Sequence, residues 1–166
     1  MDDDRFLLTP ESSERDLLTT FLEFHRKALV RKCAGLSDEQ MCYRAIPTSN
    51  ISLVGLVRHL ATVERWYFQS VIAGGSPGEL YDYASDEAFN DVDGASGEES
   101  LRIWGDEVAA SRAIAAARDL DSRSAIPTEG LVVTLRWVLV HMIDEYARHL
   151  GHADMVREAI DGVTGE

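Results

Sequence analysis

LVVTLRWVLVHMIDEYARHLGHADMVRE, residues 131–158, is the stretch that decides the fold. Its apolar residues recur at helical spacing, and four metal-competent side chains share one face of the helix they predict. With Glu145 at zero and roughly 100° per residue, His149 lies near +40°, His152 near −20° and His141 near −40°. Leu131, Val138 and Met142 fall on the same arc, so the stripe also faces the core, whereas Arg136 and Asp144 lie away from it. A carboxylate and several imidazoles directed into apolar surroundings are costly unless something satisfies them. A divalent cation would.

Working outward, the rest of the chain predicts partners for that helix. Thr9-Pro10-Glu11 has the chemistry of a helix start: a capping hydroxyl, proline at the first helical position, then an acid. The helix it predicts carries Leu17, Leu18, Phe21, Leu22, Phe24, Ala28 and Leu29 and is closed by Gly35. His25 reads as a rim residue of that helix. Ser37 and Gln40 have the spacing of a capping box and start a short helix. A second long helix is expected from Ser52 to about Ala73, ended by Gly74-Gly75. In it Leu56, Val63 and Trp66 stand at the same-face spacings from His59, which therefore points inward, with Arg58 and Glu64 off that face and solvated. Residues 74–97 are glycine-rich and acidic and read as a long loop that covers the mouth of a site. Asp91-Val-Asp93-Gly94 within it fails as a calcium loop, because Phe89 and Ser100 occupy the first and last ligand positions. A third helix is expected from Gly97 to about Leu120. Helical periods throughout, with no strand alternation, predict an all-α fold: one domain over 1–166, an antiparallel four-helix bundle with an irregular loop between helices 2 and 3.

Composition narrows the function. The chain of 166 residues is long enough to bury a real core. A formal charge of −13 opposes binding to nucleic acid or to an anionic membrane surface. No apolar run reaches the length of a membrane span and the first ten residues are acidic, so a cytoplasmic protein without a signal peptide is expected. Cys33 and Cys42 are too few for a disulfide framework and read as reduced thiols. Two lysines against fourteen arginines suggest a GC-rich bacterial genome.

Glu145 and His149 at i, i+4 are spaced to share one ion, and the inward-facing His59 is the candidate third ligand from another helix; the other reading of these residues is a set of polar side chains meeting in a wet core seam. Three protein ligands with one position left open is the arrangement of catalytic zinc. The sequence has no H-E-x-x-H, no G-x-S-x-G and no phosphate-loop lysine after Gly74-Gly75. Helices 1 and 3 also lack the carboxylate motifs of a di-iron bundle, so a mononuclear site is favoured.

SLVGLVRHLATVERWYF (52–68), LRWVLVHMIDEYARHLGHADMVREAIDG (135–162) and CAGLSDEQ (33–40) closely resemble the DinB/YfiT-like superfamily of candidate metalloenzymes. Within it the chain is similar to an actinobacterial branch of unknown function, sometimes called mini-circle proteins. The resemblance is specific at the two ends and weak over 74–130. It implies a helical bundle, commonly dimeric, that holds zinc or, second, nickel through one ligand on the second helix and two on the last. Those positions fall on His59, Glu145 and His149. Many relatives have histidine where Glu145 stands, although the similar mycothiol-dependent isomerases use glutamate there. The added negative charge lowers the Lewis acidity of the ion and favours harder metals. His152 reads as a supporting residue or a neighbour of the open position and His141 as a core histidine one turn earlier, both candidates for a supporting role behind the ligands. Characterised relatives are thiol S-transferases or a thiol-dependent isomerase. The resemblance therefore implies an enzyme that activates a small thiol, here mycothiol, as metal-bound thiolate for attack on an electrophile. The alternative reading is a non-catalytic metal- or small-molecule-binding bundle with a stress-related role.

Overall fold

The computed structural model describes residues 8–164; the acidic residues 1–7, on which the absence of a signal peptide was argued, lie outside them. Six α-helices, α1 (Glu14–Cys33), α2 (Asp38–Cys42), α3 (Leu53–Glu64), α4 (Glu87–Asn90), α5 (Gly97–Ala116) and α6 (Leu135–Asp161), build an all-α bundle, with α3 continued by a π-helical segment, Arg65–Ile72. No helix among the described residues is long and apolar enough to cross a membrane.

Local chemistry sets most of the boundaries. Ser37 and Gln40 form the expected capping box in full. Helix α1, by contrast, begins not at Thr9-Pro10 but at Ser13, whose side chain accepts from the Asp16 N–H while Asp16 accepts from the Ser13 N–H. A reciprocal cap satisfies two orphan donors, and Thr9–Ser12 folds into a separate turn before it. Helix α6 starts at Thr134 rather than Leu131, since the Thr134 hydroxyl caps the Trp137 N–H. Leu131 thus sits in the preceding connector, 65% exposed, and is not part of the core stripe. Helix α5 ends at Ala116, a turn short of Leu120, where Arg15 reaches across to the carbonyls of Ala115 and Arg118.

Side-chain pairs fix the helix directions. His59 meets both Glu145 and His149, while further along, in the π continuation of α3, Tyr67 meets His141. Residue numbers therefore rise along one helix as they fall along the other, and α3 and α6 run antiparallel. Helices α1 and α5 do likewise, through Arg15–Arg118 and Glu23–Arg112. Helices α1 and α6 run parallel, from Arg136–Glu14 at one end to Arg157–Lys32 at the other. Phe89, just ahead of α5, lies against Gly55, and Arg65 pairs with Glu107, so α3 and α5 also run parallel. A parallel neighbour requires the chain to return along the bundle before the next helix starts. Residues 73–96 make that return, with α4 inside it.

One polar network crosses the centre of the core. Glu64 is fully buried, not solvated: it takes two hydrogen bonds from Arg26 at 2.8 and 2.7 Å and one from the Tyr146 hydroxyl at 2.8 Å. The Trp104 indole donates to the Tyr146 oxygen at 2.8 Å. These four residues come from α1, α3, α6 and α5, so a single network ties all the long helices together. Buried charge is tolerated here because each partner is hydrogen-bonded. Beyond Glu64 the wider π turn, closed by the Ala73 N–H to the Phe68 carbonyl, rephases the helix surface. Trp66, read as inward-facing from a regular α period, is consequently exposed. The turn places Arg65 and Gln69 on the buried Glu107 of α5 and leaves Tyr67 facing α6.

Candidate metal centre

Helix α3 delivers His59 and helix α6 delivers Glu145 and His149 one turn apart. The Nε2 atoms of His59 and His149 lie 3.1 and 3.2 Å from the same Glu145 Oε1. One ligand atom from each of the three residues lies within 4.8 Å of the others. Side-chain exposures of 20, 17 and 13% for His59, Glu145 and His149 leave the cluster open to solvent on one side.

The donor set fits a divalent ion. Ligand atoms about 2.0–2.1 Å from zinc at tetrahedral angles stand about 3.3 Å apart; the two measured separations are close to that. Two imidazoles and a glutamate also form one of the donor sets of catalytic zinc, with a further position free for water or substrate. Hydrogen bonds from His149 and then His59 hold the Glu145 carboxyl far below the usual carboxylate range, against the opposing effect of burial. The carboxylate is therefore ionised and ready to act as a ligand.

His152 stands one turn on from His149, its Nδ1 3.4 Å from Nδ1 of His149. Burial, then the neighbouring His149 and Arg148, push the His152 pKa down, so the ring stays neutral. An Nε2 lone pair free for an ion requires the His149 proton on Nδ1, and His152 Nδ1 is the acceptor within reach. Such a second contact fixes ring orientation and tautomer. His141 is elsewhere: it stacks on Trp137 at 5.0 Å and 8° and meets Tyr67 at 4.5 Å, one turn before Glu145.

Phe89, from α4 in the crossover, also belongs to the site. Its ring is 5.4 Å from that of His59 and closes over Gly55, where a Cβ would come within 2.7 Å of the Phe89 ring. The glycine thus permits the crossover to reach the His59 face of α3. The sequence carried a weak signal for this, a glycine inside a helix four residues before the histidine.

Neither cysteine is an activated thiol. Burial pushes Cys33 up to about 12, and burial also raises the half-buried Cys42, whose thiol donates to the Ala95 carbonyl. A thiolate nucleophile at this site would have to come from outside the chain.

A family model described as Mycothiol-S-transferase matches residues 17–162. The comparison with curated proteins finds no match.

Proposed function

The chain belongs to the mycothiol-S-transferase family, in keeping with the likeness of residues 52–68 and 135–162 to DinB-like mycothiol enzymes, and from that premise we propose that it is a divalent-metal-dependent thiol S-transferase. In this reading mycothiol is the thiol co-substrate, a small electrophile is the acceptor, and zinc is the ion, with nickel second. The observation that carries it is the meeting of His59, Glu145 and His149 at one half-open point.

His59, Glu145 and His149 would hold the ion, which would supply Lewis acidity toward a thiol. The chain's own residues do the rest. Glu145 and His149, one turn apart on a single rigid helix, fix two ligand directions, and His59 fixes the third from α3. His152 holds the His149 ring, and Phe89 shields the His59 side from water. In the transfer, sulfur donates its electron pair to the electrophilic carbon, a carbon–sulfur bond forms, and the leaving group departs with the electrons of the bond that breaks. The proton lost by the thiol goes to solvent or to the departing group. Orientation accounts for much of the acceleration in such a site, because thiol and acceptor are brought together as if unimolecular.

The test is metal analysis by mass spectrometry on protein purified without a nickel column, followed by assay of mycothiol conjugation to model electrophiles. One equivalent of metal with turnover is expected. Metal-replete protein that conjugates none of several electrophiles would overturn the reading.

A further inference from the structure

Helix α4 has only four residues, too few to hold its shape alone. It starts from Asp86 at φ 54° with no side-chain cap, a left-handed conformation that is costly for a residue with a Cβ. Such a segment keeps its place only where the surroundings impose it. Ala88 and Val92 are buried and keep the crossover on the bundle. Between them, three consecutive carbonyls are taken by guanidiniums. Arg44, in the connector after α2, donates through Nη2 to the carbonyls of Phe89 and Asn90 at 3.2 and 3.1 Å, and through Nη1 to Asp93 at 2.9 Å. Arg58 of α3 donates to the Asp91 carbonyl and lies over the Tyr81 ring at 5.0 Å. A rigid planar fork of donors suits several acceptors at once.

What these two side chains hold in place is the Phe89 ring. It lies 5.4 Å from the His59 ring at a tilt of 35°, over the space that Gly55 leaves. His59 also meets the His149 ring at 4.5 Å, with its Nε2 3.1 Å from Glu145 Oε1. His149 has His152 within hydrogen-bonding reach to set its orientation. For His59 the corresponding restraint is packing against an apolar ring.

Building on the metal-centre reading, we propose that Arg44 and Arg58 are positioning residues. They grip the end of α4, α4 carries the Phe89 ring, and the ring fixes the orientation in which His59 meets Glu145 and His149. Arg44 comes from an element that supplies no ligand, so its influence on His59 has to pass through the crossover. The buried Ala88 and Val92 keep the segment on the bundle when a guanidinium is lost, so the loss re-aims Phe89 without unfolding the protein.

Nuclear magnetic resonance of the His59 ring protons in metal-free, full-length protein tests this, the signals being identified by their loss in His59→Gln. A neighbouring aromatic ring displaces such signals, and Phe89→Ala should remove that displacement. Arg44→Ala and Arg58→Ala should each move the signals part of the way to their Phe89→Ala positions. Arg44→Ala should add nothing further in the Phe89→Ala protein, as expected of two residues acting in series. Zinc affinity measured by chelator competition should weaken about tenfold in Phe89→Ala, the low end for losing a group that orients a ligand, and about threefold in Arg44→Ala. The double variant should bind zinc no more weakly than Phe89→Ala. Should Phe89→Ala not fold, Phe89→Leu takes its place in the cycle. Unmoved His59 signals in folded Arg44→Ala protein would overturn the proposal, as would losses of zinc affinity that add in full. If the signals move as expected but the unmodified protein takes up no zinc, the metal reading falls and the positioning stands. Zinc uptake with unmoved signals removes the positioning alone.

Discussion

The α3–α6 pair presents two polar clusters on opposite sides of the same seam, built from neighbouring residues and treated in opposite ways. On the inner side Glu64 and Tyr146 join Arg26 and Trp104 in a closed, buried network. On the outer side His59, Glu145 and His149 aim three ligand atoms at one point and remain partly open. Tyr146 directly follows Glu145 in sequence, yet one closes the buried network and the other opens onto the candidate metal centre. Burial differs between the two carboxylates, Glu64 being fully buried and Glu145 17% exposed, but their partners differ more. The distinguishing feature is whether the surroundings already satisfy it: Glu64 has a guanidinium and a phenol, whereas Glu145 has two imidazoles whose lone pairs also suit a cation.

The sharpest way to break the comparison is to remove one member from each side. His149→Ala is expected to abolish stoichiometric metal binding and reduce conjugation by about a hundredfold or more, with a melting temperature close to that of metal-stripped unmodified protein. An activity loss no larger than the stability loss would place the outer cluster with the inner one. Glu64→Leu should do the opposite. It leaves the Arg26 charge partly stranded in the core, with Glu23 its remaining carboxylate partner at 2.7 Å, and costs about 3 kcal/mol in denaturant unfolding, while protein that remains folded still takes up metal. Adding Arg26→Met to Glu64→Leu should recover much of that loss, because the stranded charge goes with it.

Smaller effects refine the same contrast. Metal at a hundredfold excess over its dissociation constant should stabilise the protein by about 2.7 kcal/mol, lost on chelation and absent in His149→Ala. Tyr146→Phe should cost about 1–2 kcal/mol, since it leaves the Trp104 indole without its acceptor and removes one of the two donors to Glu64 Oε1, with metal content unchanged. The least effect is on pH dependence in the metal-free protein. Hydrogen bonds from His149 and His59 depress the folded-state pKa of Glu145 below its reference of 4.5, so its contribution is fully present above that pH and fades as pH falls through the acid range. Thermal melts between pH 6 and 3 should show this decline, and Glu145→Gln should flatten that part of it.

Much of the site was legible in the sequence for a local reason. The face shared by Glu145 and His149 follows from spacing within one helix, and the inward side of His59 from the apolar residues at its same-face positions. The misread residues are those where the backbone leaves the regular α period or where a partner is distant in sequence. Trp66 lies just past the α-to-π transition. Leu131 precedes a cap formed by Thr134. Glu64 looked solvated because its compensating charge, Arg26, sits on another helix 38 residues away. Phe89 lay in a stretch with no periodicity to read, and only its packing on Gly55 and His59 reveals its place.

By itself the sequence determined the four long helical segments and the short helix capped by Ser37, and which side chains share a face where the α period holds, because hydrogen bonding and the 3.6-residue period act within a few residues. The tertiary structure decided which faces meet: α3 against α6 antiparallel and against α5 parallel, the crossover folded back over His59, and Glu64 given a counter-charge. Those outcomes depend on the simultaneous burial of several helices, and residues close in space but distant along the chain leave no mark on any one segment.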